Sequence, residues 1–135
     1  VIARAVARGA RTFLDLGTGP EALLAVMCAK AGAVRVWAVE VVPAIAEKAR
    51  TAVQSLGLDD TIEVVTGFAA ELSLPHVDVV VHEIIGNIAT EEGVAAALAD
   101  LQVRSDVTSS CVRGWSLPSR IETLAAPASL HLPVS

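Results

Sequence analysis

Tyrosine is absent, and the four aromatic residues, two Trp and two Phe, make up 3% of the 135 residues. The core therefore cannot rest on aromatic packing. Ala, Val, Leu and Ile must build it, and they supply most of a hydrophobic content of 53%. Cysteine is as scarce: Cys28 and Cys111 stand far apart and outside any C-x-x-C context, which excludes a disulfide framework and a thiolate zinc site. Both read as ordinary buried thiols. None of the three histidines has metal-ligand spacing with another His or Cys. No apolar run reaches the roughly 18 residues that a membrane span needs, and no secretory leader opens the chain. A soluble, cytoplasmic protein with no membrane partner is expected. Basic residues are outnumbered, 10 Lys and Arg against 15 Asp and Glu, for a net charge of −5. No cluster of them is dense enough for a nucleic-acid footprint, and Arg4, Arg8 and Arg11 read as a solvated helix face. An acidic surface suits a basic substrate instead.

What the chain does contain is a regular alternation of apolar strands with helix-patterned segments. Residues 1–9 read as a short helix closed by Gly9, and residues 12–16 as a first strand. A helix is expected from Pro20 to Gly32, with Pro20 and Glu21 in its first turn and Leu23, Leu24, Val26, Met27 and Ala31 as its apolar stripe. Then come a strand over residues 34–40, a helix over 43–56 with Ile45, Ala49, Ala52, Val53 and Leu56 inward, and strands over 62–66 and 77–82. A last helix is expected from about Thr90, as N-cap before Glu91 and Glu92, to about Leu101. This order calls for parallel pairing through right-handed crossovers, and so for a doubly wound, mostly parallel α/β sheet. Residues 103–114 read as a connection, and a further strand is expected from Trp115, entered through a proline turn.

The organising stretch is Phe13-Leu14-Asp15-Leu16-Gly17-Thr18-Gly19, a strand that breaks into glycines just before a helix. Such a turn lets backbone approach a ligand closely and faces it with helix amides. Residues 17–22 fit the loose G-x-G-x-x-G/A pattern of dinucleotide-binding enzymes, and Glu40 lies about 20 residues downstream, where an acid accepts ribose hydroxyls. Asp15 separates the nucleotide readings, because a dehydrogenase usually has an apolar residue there. The resulting Asp-x-Gly-x-Gly resembles motif I of the class I S-adenosylmethionine-dependent methyltransferases, and Val-Trp-Ala-Val-Glu40 resembles their acidic second-strand end. The resemblance implies S-adenosylmethionine as cofactor, with S-adenosylhomocysteine as product. It further implies that Glu40 binds the ribose and that Asp15, Gly17, Thr18 and Gly19 hold the methionine portion. The family's third glycine falls here at Glu21.

After the fourth strand, His82-Glu83-Ile84-Ile85-Gly86 continues to Glu92, with Gly86 three and Glu92 nine residues beyond Glu83. This resembles the double-glutamate hairpin of the protein arginine methyltransferases, which implies Glu83 and Glu92 as the catalytic pair. Chemistry gives two carboxylates a purpose. A guanidinium, with a pKa of about 13.8, is a poor nucleophile, and paired carboxylates can grip its fork and stabilise positive charge. Taken singly, Glu83 also reads as a solvated strand-end acid, Glu92 as a first-turn helix acid, and His82 as a packed strand-end residue. Residues 57–67 are similar to the segment leading to the family's adenine pocket. The family's adenine-contacting Glu falls at Ala70; either Glu71, one place later, substitutes for it, or backbone amides read the base alone. Residues 116–124 resemble the passage into the family's β-barrel.

The resemblance thus divides the chain into a cofactor-binding domain over residues 1–114 and the beginning of a barrel domain over residues 115–135. It implies a longer parent, carrying a lid helix and a dimerisation arm, that forms a homodimer. The acceptor is a basic protein or a guanidino small molecule, with no nucleic acid. Two other classes stay open at this point. One is a cofactor-binding or interaction domain without its own activity; the other is an NAD(P)-dependent oxidoreductase.

Overall fold

The computed structural model describes residues 1–86, 93–103 and 116–122, with residues 102 and 103 described by their backbone. The elements alternate as the sequence requires: α1 (Ile2–Ala7), β1 (Thr12–Leu16), α2 (Leu23–Lys30), β2 (Arg35–Glu40), α3 (Pro43–Ser55), β3 (Ile62–Thr66), a 3-10 turn (Ala69–Glu71), β4 (Val79–His82), α4 (Val94–Val103) and β5 (Ser116–Leu117). Among the described residues, five parallel strands lie in the order β3-β2-β1-β4-β5. The order reverses between β1 and β4, which makes their carboxyl ends the topological switch point, where sheets of this kind bind ligands.

Side chains alternate across the strands and split the core in two. Phe13, Val36, Ala38, Val79 and Val81 face one way and pack with Ala25, Ala49 and Val53 of α2 and α3. Leu14, Leu16, Val39 and Val80 face the other way and meet Leu101 of α4. Both faces are covered, as the near-continuous apolar strands demand. At the amino ends, the Asp78 carboxylate accepts the amides of Arg11 (2.7 Å) and Thr12 (2.9 Å) and the Thr12 hydroxyl (3.0 Å), which fixes the start of β4 against β1. Burial opposes the charge on Asp78, but these donors hold its carboxyl below the ordinary value. No described helix is long and apolar enough to cross a membrane.

The expected start of α2 at Pro20 is corrected. Residues 19–22 form a turn closed by the Ala22 amide on the Gly19 carbonyl (3.3 Å), and Ala22 takes a left-handed conformation (φ 47°) before the helix begins at Leu23. Pro20 and Glu21 thus precede the helix. Its buried face is also narrower than the expected stripe: Ala25, Val26 and Cys28 are inside, whereas Leu23 and Met27 are exposed. Small residues permit close approach to the sheet, so the helix turns its Ala and Cys inward and leaves the bulkier chains out. In α3, Ala46, Ala49 and Val53 are buried and Leu56 is exposed.

The described part of α4 begins at Val94, with the Ala97 amide on the Gly93 carbonyl (3.1 Å). The expected cap Thr90, together with Glu91, Glu92, Cys111 and Trp115, lies outside the described residues. Ser116–Leu117, read from the sequence as the approach to a second domain, pairs with β4 in the same parallel sheet. Residues 123–135, where a barrel would continue, also lie outside the described residues.

Candidate functional site

The register brings the two motifs together. Leu16 pairs with Val39 on one side and with His82 on the other. The residue that follows each partner is therefore Gly17, Glu40 or Glu83. Gly17 adopts φ +68°, and a Cβ placed on it would lie 2.5 Å from Cγ2 of Ile84. The loop carrying Glu83 is thus packed on the glycine turn. Gly17→Ala combines a left-handed backbone, costing roughly 1–2 kcal/mol for an L-residue, with a clash against a β-branched side chain. A lower urea midpoint at unchanged m-value is expected; an unaltered midpoint would mean that the loop and turn do not share this contact.

Glu40 is buried at the end of β2, and its carboxylate bridges two backbone segments. One oxygen accepts the Gly19 amide (3.1 Å) and the other the Val42 amide (2.9 Å). A carboxylate has about four acceptor sites, so each oxygen retains capacity for a further donor. Gly19 itself (φ +68°) has open space where a Cβ would stand.

Asp15 is almost fully buried, on the face of β1 covered by α2. One of its oxygens, Oδ2, accepts both the Thr18 hydroxyl (2.6 Å) and the Ala25 amide (3.1 Å). Ala25 is the third residue of α2, so Asp15 serves as a cap supplied from the neighbouring strand. This explains why the helix begins where it does. The second oxygen, Oδ1, is buried without a hydrogen-bond partner. Burial outweighs the two donors and, with a smaller contribution from the charge of Glu40, pushes the carboxyl up from 3.8 to about 6.

Glu83 follows β4 directly and is exposed. Beside it, His82 is buried, and burial holds its imidazole below the ordinary value. Its Nε2 lies 3.3 Å from the Ser116 hydroxyl, which donates to the Pro118 carbonyl (3.1 Å). The other ring nitrogen, Nδ1, is buried without a hydrogen-bond partner. His82 is a packed strand-end residue, as the sequence indicated, and its contact with Ser116 joins β4 to β5.

A cavity of about 400 Å³ opens at the carboxyl ends of the strands, within the range of small-molecule sites. Leu16, Gly17, Val39 and Val41 form its floor on β1 and β2; Phe68, Ala69 and Ala70 form one wall, and Ile84 with part of α4 the other. Of the expected cofactor residues Gly17 is in its lining; Glu40, between Val39 and Val41 in the chain, is not, nor are Asp15, Thr18 and Gly19. Apart from Asp100 the lining of this slot is apolar or glycine, a surface that suits an apolar or aromatic group. Glu71 is exposed and does not line the slot, so the structure does not bring it to the site. Glu92 lies outside the described residues. Sequence reasoning missed Phe68, Ile84 and Asp100 as site residues. Asp100 is the charged residue of the described helix Val94–Val103, but the helix expected from Thr90 also carries Glu91 and Glu92, so nothing in the sequence singled it out. Among the described residues, no group of three His, Cys, Asp or Glu could hold a metal ion.

No protein-family model matches the chain. Protein arginine N-methyltransferase PRMT10 of Arabidopsis thaliana is 43% identical to it over 77 residues, which is 56% of this chain and 20% of the relative. The chain spans about a fifth of the length of the curated relatives it matches. Among solved structures, Arabidopsis thaliana protein arginine methyltransferase 10 in an open conformation superposes with a TM-score of 0.66 at 33% identity, over 76% of this chain and 31% of that one. The Trypanosoma brucei PRMT1 enzyme–prozyme heterotetrameric complex with AdoHcy gives a TM-score of 0.65 at 27% identity, over 76% and 33%. This chain has the class I S-adenosylmethionine-dependent methyltransferase fold and, over part of its length, resembles the protein arginine methyltransferases.

Proposed function

We propose that this chain is the cofactor-binding part of a methyltransferase that transfers a methyl group to a guanidino nitrogen of arginine in a protein. The observation that carries the reading is the register of Leu16 with His82, which sets Glu83 beside the Gly17 turn at the switch point. The likeness to protein arginine methyltransferases supports the acceptor class.

S-adenosylmethionine, when bound, supplies a methyl group on a positively charged sulfonium. The chain's own residues do the rest. Glu40 takes the ribose hydroxyls with the acceptor capacity left by the Gly19 and Val42 amides, and Asp15, Gly17, Thr18 and Gly19 form the turn that holds the methionine portion. Glu83, with Glu92, holds the guanidinium fork, aligns one nitrogen for attack and balances the positive charge during transfer.

Calorimetric titration with S-adenosylhomocysteine, using reduced nicotinamide dinucleotide as control, tests the cofactor. Selective binding of the former is expected. Glu40→Gln keeps the shape but removes the charge from the ribose hydrogen bonds, so affinity should fall about ten- to a hundred-fold. Selective binding of the nicotinamide dinucleotide would overturn the assignment. An arginine-containing peptide should then accept labelled methyl groups, whereas its lysine counterpart should not.

A further inference from the structure

The cavity poses a problem of recognition. Its floor and the wall formed by Phe68, Ala69 and Ala70 are apolar, and Phe68 is 58% exposed at the rim. Such surfaces can stack on a purine and measure its thickness, but they cannot tell one purine from another, because purines differ at their polar edge. The turn following β3 supplies no side-chain reader: Ala70 has only a methyl group, and the exposed Glu71 is outside the slot.

Across the cavity stands Asp100, on the side of α4 that also presents Ala96 and Ala97. Among the described residues it is the only ionisable side chain that lines the cavity. It is half-buried and engaged in the fold, and a carboxylate has about four acceptor sites. The neighbouring alanines leave it room.

Resting on the cofactor reading above, we propose that Asp100 reads the base of the nucleoside: its carboxylate accepts a hydrogen bond from the exocyclic amino group of adenine. Recognition comes from the helix after the Glu83 loop instead of from the turn after β3. A carboxylate offers acceptors only, so a purine with a carbonyl in place of that amino group faces repulsion. Asp100 thereby selects adenine over hypoxanthine, and α4 becomes a specificity element as well as a cover for the sheet.

The test is titration of the full chain with S-adenosylhomocysteine and with its hypoxanthine counterpart, S-inosylhomocysteine. A charged hydrogen bond corresponds to at least about ten-fold in affinity, so the wild-type chain should prefer the adenine ligand by that factor or more. Asp100→Asn should remove the preference, since its amide can donate to the hypoxanthine carbonyl. Asp100→Ala, which replaces a half-buried side chain by one that α4 already carries at neighbouring positions, should equalise the two affinities, and Glu71→Gln should leave the preference intact. Thermal melting of each variant separates a lost contact from a lost fold. Retention of the wild-type preference in both folded Asp100 variants, or its loss in Glu71→Gln, overturns the assignment of Asp100 while leaving the cofactor reading in place. Failure of the wild-type chain to bind either nucleoside overturns both.

Discussion

Glu83→Gln should lower the rate of methyl transfer by about 10²- to 10³-fold, the usual cost of removing one preorganised electrostatic partner from a transition state. Binding of S-adenosylhomocysteine should be unchanged. The two expectations belong together because of where Glu83 sits. It follows β4 at the switch point, next to the glycine turn, yet its side chain is exposed and holds no part of the core. Glutamine keeps the shape and one acceptor oxygen but loses the charge that a guanidinium fork requires from its partner. A substitution at such a surface position changes stability by less than about 0.5 kcal/mol, so the loss of rate cannot be assigned to unfolding. Transfer at the wild-type rate would sink the guanidino reading. Loss of product binding together with rate would instead place Glu83 in the cofactor pocket.

The strands were legible because their signals are local. Residues 12–16 and 62–66 are apolar runs bounded by polar residues or glycine, and both strands appear with those limits. Parallel pairing followed from the alternation with helices; the strand order, with β1 beside β4, is what brings Glu83 to the turn at Gly17. Helix starts were less legible, because in α2 the decisive contact comes from another element. Pro20 and Glu21 look like a first turn, but the donor that fixes the start is the Ala25 amide, captured by Asp15 from β1. Nothing within residues 20–25 announces that bond. The inward face of α2 was misread for a related reason: hydrophobicity ranks Leu23 and Met27 above Ala25 and Cys28, whereas close packing on a sheet favours the small residues. Glu71 shows the limit of positional analogy. One residue of displacement along a 3-10 turn rotates a side chain by about a third of a turn, enough to carry it from a cavity wall to solvent.

Asp15→Asn is expected to stabilise the protein at pH 7.5 and to have almost no effect near pH 4.5. Burial raises the Asp15 carboxyl from 3.8 to about 6. Between those values the folded state holds a proton that the unfolded chain has released, so stability falls as pH rises through this window. Above about pH 6 the cost is fully present, on the order of 3 kcal/mol. Asparagine cannot ionise, and its carbonyl can keep the hydrogen bonds from Thr18 and Ala25. Part of the gain is offset, because the amide nitrogen then occupies the position of the unpartnered Oδ1. A net gain of about 1–2 kcal/mol remains, which for a domain of this size raises Tm by roughly 3–10 °C. His82 acts with the opposite sign. Its folded pKa lies below the ordinary 6.5, so stability is lost as pH falls through that value. In the wild-type chain the two buried groups act in opposite directions across the acidic window; in Asp15→Asn the His82 contribution remains. Thermal melts of both proteins from pH 4.5 to 7.5 should therefore diverge with rising pH. Parallel curves would mean that Asp15 carries no ionisation cost in the fold and that its place at the end of β1 is governed by the cap on α2 alone.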